Sequence, residues 1–165
     1  MKLHDSMRGH FAYRLFDLME KDQSIYLLMG DLGYKVFDEH RKKYPDRCLN
    51  LGASEQMMMG VAVGLALEGM IPVVYSITNF LLYRPYETIR NYVNYEKIPV
   101  KLVAAGRDKD YAHDGISHWS EDARDVLSNF KNIKQYWPEE KTDVTLDYMT
   151  EFLYNNKASF ISLRR

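Results

Sequence analysis

The chain has 165 residues, of which 46% are hydrophobic and 27% charged; this is enough apolar side chain to bury one domain's core and excludes disordered and fibrous classes. Lys and Arg number 22 against 23 Asp and Glu, a formal charge of −1, with no basic stripe able to neutralise a run of phosphates, so nucleic acid is not expected as a partner. The most apolar stretch, 57–67, is about half of the roughly 20 residues that a membrane span needs. No apolar segment follows Lys2, and the single Cys48 cannot pair within the chain; a cytoplasmic, reducing location is expected.

No repeat, low-complexity tract or linker divides the sequence, so one domain over 1–165 is expected. Ser6 stands where it caps a helix running to about Lys21, with Phe11, Leu15, Leu18 and Met19 on one face. Residues 24–29 read as a short buried strand stopped by Gly30-Asp31-Leu32-Gly33, and 48–51 as a weaker one. Ser54 precedes a helix over about 55–68, closed by Gly69. Strand 71–76 follows, with Pro72 tolerated near its start. A helix over 80–95, a strand over 99–105, a polar loop over 106–117, a short helix over 121–128 and a strand over 133–136 come next. A helix over 144–154 and a strand over 160–163 finish the chain. Short continuous apolar strands alternating with helices predict an α/β fold, a single three-layer α/β/α domain around a mainly parallel sheet. In such sheets the ligand lies beyond the carboxyl ends of the strands.

The loops at those ends hold the unusual residues. Glu55 opens its helix, where the dipole favours a carboxylate, and its plain reading is a helix-start acid. Gly60 and Gly64 each cost about 1 kcal/mol against Ala in a helix, which close approach of another backbone would explain. Met57, Met58 and Met59 read as core filler. Phe80 and Tyr83 share a helix face by their spacing, with packing on the sheet the plain reading and Asn79 a plausible cap. The segment 107–118 carries two His and three Asp without an apolar run, and so reads as a solvent-facing functional loop. His113 and His118 are five apart, not the spacing of a helical zinc pair; one of them touching substrate or moving a proton stands against an ordinary surface histidine. Gly-x-Ser-x-Gly, a phosphate loop and Gly-x-Gly-x-x-Gly are absent from the sequence, which removes support for common hydrolase, nucleotide-phosphatase and dehydrogenase readings.

Taken in order, three segments resemble the pyrimidine-binding domain of the transketolase family of thiamine-diphosphate enzymes, and the resemblance runs over nearly the whole chain. Residues 50–69 resemble the family's Gly-x-x-Glu-Gln helix start and small-residue helix; Thr78-Asn79-Phe80-Leu81-Leu82-Tyr83, followed by Ile89-Arg90, resembles its aromatic segment. Asp114-Gly115-Ile116-Ser117-His118 resembles its Asp-Gly-x-Thr-His loop, with Ser for Thr. The resemblance implies that Glu55 bonds N1′ of the cofactor's aminopyrimidine, a role that needs a carboxyl able to keep or share a proton, as burial favours. It implies that Phe80 stacks on the pyrimidine beside Ile77 and Tyr83, and that Asp31 lies near the cofactor. Asp114 and His118 would contact donor hydroxyls, His118 aiding proton movement, and Arg8 with Arg165 or Arg164 would hold a sugar phosphate.

Two departures qualify the substrate. Lys35 stands near a phosphate-binding Ser of the family, and the Gly106-Arg107 region replaces a phosphate-binding His; Lys35 and Arg107 are the basic residues expected to bind a substrate anion, at a different position and of a different shape. The family's Gly-Asp-Gly motif, which with a downstream Asn anchors Mg²⁺ and diphosphate, is missing, for Gly30-Asp31-Leu32-Gly33 is not that motif. The expectation is one half of a split transketolase with neither a diphosphate-binding nor a C-terminal domain, holding no metal itself and completed by a separate diphosphate-binding subunit as an α2β2 heterotetramer. The implied activity is transfer of a two-carbon ketol unit from a ketose or ketose phosphate to an aldehyde. The alternatives are a 2-oxo acid decarboxylating acyloin synthase, like deoxyxylulose-phosphate synthase, and a non-catalytic assembly or regulatory subunit.

Overall fold

A computed structural model describes residues 3–165. Ser6 accepts a hydrogen bond from the Gly9 amide at 3.0 Å and starts α1, Met7–Lys21. There follow β1 (Ile25–Met29), α2 (Asp38–Lys43), β2 (Cys48–Asn50), α3 (Glu55–Leu67), β3 (Ile71–Ile77), α4 (Thr78–Tyr83) and α5 (Tyr86–Thr88). A π-helical segment, Ile89–Tyr95, leads to β4 (Lys101–Ala105), and α6 (Ala123–Ser128), β5 (Lys134–Tyr136), α7 (Leu146–Tyr154) and β6 (Ser159–Leu163) complete the order.

All six strands run parallel in the order β2-β1-β3-β4-β6-β5. Alternate residues of each strand face opposite sides, so one continuous apolar run feeds two cores. Leu27, Val73, Val103 and Ile161 pack with Phe11, Leu15 and Phe152 of α1 and α7. Their neighbours Leu28, Val74, Leu102 and Phe160 pack with Met58, Met59, Leu81 and Leu127 from α3, α4 and α6. This is the three-layer α/β/α arrangement expected. From β1 the chain goes first to one side, to β2, and then to the other, to β3, which places the switch point between β1 and β3.

Two elements depart from expectation. The helix expected over 80–95 breaks into α4, α5 and the π-helical segment, because Pro85 lacks an amide donor and α4 ends at Tyr83, with Arg84 as its C-cap. The α2 sequence Asp38-Glu39-His40-Arg41-Lys42-Lys43 forms a helix that hydrophobic periodicity does not signal, since only His40 of it is buried.

Candidate active site

Glu55 is carried to the switch point by a tight turn. Gly52 adopts φ +68°, the Ser54 amide donates to Gly52 O at 2.8 Å, and α3 begins at the next residue. The carboxylate is 1% exposed. Its Oε1 accepts from Ser76 Oγ of β3 at 3.3 Å, and its Oε2 accepts from Arg84 Nη1 at 2.7 Å. Gly30, just beyond β1, makes room: a Cβ there would stand 3.3 Å from both Glu55 Oε1 and Gly52 O. A side chain that only served its own helix start would point along that helix; this one points under the strand ends and is held by two other elements.

Ile77 closes β3 and is buried, and Phe80 lies in the first turn of the helix that follows. The His118 ring meets Phe80 edge-on at 4.9 Å between centroids. His118 Nδ1 is 2.9 Å from Ser117 Oγ, and Asn79 Nδ2 donates to Ser117 O at 3.1 Å, so the 106–118 loop is tied to the aromatic segment. The structure thus brings Glu55, Phe80 and His118 to one end of the sheet through Arg84, whose guanidinium carbon is 3.7 Å from the Phe80 centroid. Tyr83 is 40% exposed; burial of its hydroxyl, with Asp122 at the head of α6 beside it, pushes the hydroxyl's pKa up. That contact ties Tyr83 to α6.

A second cluster lies beside His118. Arg8 Nη1 donates to the Tyr111 hydroxyl at 3.1 Å, and the Arg165 guanidinium lies 5.2 Å above the Tyr111 ring. Arg165 Nη1 is 3.4 Å from His113, whose Nε2 is 3.1 Å from Asp114 Oδ2. The Tyr111 ring lies against Gly106, where φ is +84° and a Cβ would stand 2.2 Å from a ring carbon. Arg164 lies between Asp110 and Glu139, at 3.9 and 3.8 Å.

Arg107 is placed differently from its expected substrate role. It is 4% exposed, and its guanidinium donates to Ser162 Oγ, Ser162 O, Pro138 O and Glu139 Oε2 at 2.7–3.3 Å. The fork is consumed in joining the end of β4 to β6, so the structure corrects Arg107 from an anion ligand to an internal brace. Asp31 sits in the loop after β1 with φ +57°; the Tyr34 hydroxyl at 2.7 Å and Asn50 hold its carboxyl below the usual range. Lys35 is exposed with φ +64° on the same loop.

Three site residues carry no signal that sequence reasoning picked up. Ser76 is one of seven consecutive β3 residues, Arg84 looks like a solvent-facing helix residue, and Tyr111 looks like one more polar-loop residue. Spacing could have signalled Arg84, since it is one turn after Phe80.

Among the described residues no group of three or more His, Cys, Asp and Glu is placed to hold a metal ion. The pyrimidine half of thiamine diphosphate fits better: an aromatic face and a buried carboxylate already converge on one flat, nitrogen-rich group, the Arg84 guanidinium.

Comparison with known proteins agrees. The family model "Transketolase, pyrimidine binding domain" matches residues 6–164. The chain is 36% identical over 117 residues to a protein of Methanocaldococcus jannaschii named as a putative transketolase C-terminal section, covering 70% of this chain and 37% of that one. It is 32% identical over 114 residues to one subunit of the apulose-4-phosphate transketolase of Actinobacillus succinogenes, covering 68% and 37%. A 1-deoxy-D-xylulose-5-phosphate synthase of Syntrophotalea carbinolica is 29% identical over 149 residues, covering 88% and 23%. Among solved structures, a split-gene transketolase described as an inactive β4 tetramer superposes with TM-score 0.83 at 25% identity, over 97% of this chain and 51% of that one. The chain therefore spans from about a quarter to about half the length of the relatives it matches. With motifs, sheet order and family model in agreement over the same residues, the chain belongs to the transketolase family, as its pyrimidine-binding domain.

Proposed function

We propose that this chain is the pyrimidine-binding subunit of a thiamine-diphosphate-dependent, transketolase-like transferase that moves a two-carbon ketol unit from a ketose or ketose phosphate to an aldehyde. The observation that carries the reading is the buried Glu55 carboxylate converging with Phe80 and His118 beyond the carboxyl ends of β1 and β3. The cofactor supplies carbanion chemistry at its own ring; the protein supplies position and electrostatics. Glu55 holds a proton against N1′ of the pyrimidine, oriented by Ser76. Phe80 presents its face to that ring, with Ile77 beneath. His118, fixed by Ser117 and the Phe80 edge, hydrogen-bonds a donor hydroxyl and moves its proton, and Asp114 accepts from a neighbouring hydroxyl. Arg8 and Arg165, gathered around Tyr111, take the distal anion, with Arg164 and Lys35 as outer charges.

Mg²⁺ and diphosphate fall to a separate diphosphate-binding subunit, in an α2β2 heterotetramer. Relatives named as subunits and the split-gene structure support the separate subunit. So does the surface of α3, where Met57 and Leu67 are 50% and 69% exposed and a Cβ at Gly60 or Gly64 would have nothing within 4 Å. The backbone whose close approach those glycines permit is then the partner's.

Glu55→Gln in the reconstituted pair is the decisive variant. Loss of at least ~100-fold in ketol transfer, with melting temperature retained, is expected for a general acid–base group. Unchanged turnover would remove Glu55 from the mechanism and leave an assembly subunit. Release of carbon dioxide from pyruvate by the wild-type pair, without transfer from a ketose phosphate, would instead favour the acyloin-synthase chemistry of the deoxyxylulose-phosphate synthase relatives.

A further inference from the structure

Arg84 follows α4 directly and makes two contacts at once. Its guanidinium lies over the Phe80 ring, 3.7 Å from the centroid, and its Nη1 donates to Glu55 Oε2 at 2.7 Å. The two ends of this ion pair differ in depth, for the Glu55 side chain is 1% exposed and the Arg84 side chain 44%. Among the described residues, Arg84 makes no other side-chain hydrogen bond. One side of the group is clamped and the other is open to solvent.

A guanidinium is flat, carries its donors in the plane and stacks on aromatic faces. An aminopyrimidine is also flat, presents an in-plane ring nitrogen to the carboxyl and stacks on the same kind of face. The two groups ask for the same aromatic face and the same carboxylate. On the reading of Glu55 and Phe80 given above, we propose that Arg84 is a placeholder for the cofactor's aminopyrimidine ring: it occupies Phe80 and Glu55 in the unloaded chain and swings out when the ring seats.

The arrangement has a physical reason on each side. An unloaded chain with no cation here would bury an unpaired carboxylate, which is costly. The exposed outer edge of Arg84 and its lack of other hydrogen bonds leave the side chain free to depart by rotamer change alone, without movement of the strands. The drawback is competition, because cofactor affinity is reduced by the free energy needed to displace the guanidinium. The same residue therefore stabilises the empty subunit and weakens cofactor entry.

That double effect separates a placeholder from a residue that helps hold the cofactor. Arg84→Met keeps length and removes charge and flat face; Arg84→Lys keeps the ion pair and removes the flat face. Thiamine diphosphate binding to each variant paired with its diphosphate-binding subunit is measured by calorimetry in Mg²⁺, and the unloaded chains are melted alone. The Met variant is expected to bind roughly tenfold tighter, as follows from losing one stacked, ion-paired competitor, and its unloaded chain to melt lower than wild type. The Lys variant is expected between the two, and decides the question by itself should the Met variant fail to fold. Unchanged or weaker affinity in the variants, with the wild-type pair binding normally, would overturn the placeholder and leave the cofactor reading intact. Absence of binding in wild type and variants alike would overturn both.

Discussion

The most informative single residues are those whose chemistry conflicts with their surroundings. Glu55 is one, a carboxylate inside an apolar layer that is tolerated because Ser76 and Arg84 reach it. His40 is another. It is 0% exposed and packs edge-on against Phe16 and Phe37 at 5.2 and 5.1 Å, and the Ala12 backbone, a polar group of α1 that favours its protonated ring, is outweighed by burial. Burial lowers its pKa from 6.5 to about 4. The folded chain therefore keeps His40 neutral while the unfolded chain takes up a proton below pH 6.5, so stability falls as pH drops from about 6.5 to about 4 and is unaffected by His40 above that window. The loss at the low end is about 3 kcal/mol. In urea unfolding, His40→Leu is expected to flatten the acid limb between about pH 6.5 and about pH 4; an unaltered limb would show that folding leaves the affinity of His40 for its proton unchanged.

What each residue does is readable in the sequence where the signal is local. Ser6 as a cap, Glu55 at a helix start and Asp-Gly-x-Ser-His in a polar loop are local patterns, and they stand where they are expected. Arg107 reads as an anion ligand in sequence because its partners, Pro138 and Ser162, are 31 and 55 residues away. Ser76 gives no sign of its part, and Arg84 shows only its spacing from Phe80, since the third dimension alone brings both to Glu55.

Among the elements, α3 does the most. Met58, Met59, Ala62 and Val63 bury its inner side, and Gln56 Nε2 donates to Thr88 Oγ1 at 2.7 Å, binding it to α5. Its outer side is small and open at Gly60 and Gly64. Glycine in a helix costs about 1 kcal/mol against alanine, so the chain retains two destabilising residues with nothing of its own packed there. Gly64→Leu is expected to leave the melting temperature of the isolated chain equal or higher, yet to weaken association with the diphosphate-binding subunit at least ~tenfold, because a side chain would stand where helices meet closely. Retained association, measured by calorimetry, would place the interface elsewhere. The segment after α3 and β3 is harder to read: apolar periodicity over 80–95 suggests one helix, and Pro85 splits it. The break has a consequence, for it leaves Arg84 at a helix end with a free outer edge.

For the molecule as a whole, the parallel sheet is legible because its strands are short, continuous and apolar, a pattern that only burial on both faces supports. The sheet order decides the chemistry's location, since the chain leaves β1 towards β2 and β3 towards β4, on opposite sides, and Glu55, Phe80 and His118 gather at that switch point. This end of the sheet is one wall, rich in groups for a flat heterocycle and for hydroxyls, and among the described residues it carries no metal-binding cluster. A cofactor with a flat heterocycle at one end and a metal-bound diphosphate at the other needs a second wall. Native mass spectrometry of the protein isolated from its own source cells reads that second wall directly. The expected spectrum contains this chain with a different subunit in equal number and the mass of thiamine diphosphate; a homo-oligomer that binds thiamine diphosphate and Mg²⁺ tightly with no second subunit would contradict it.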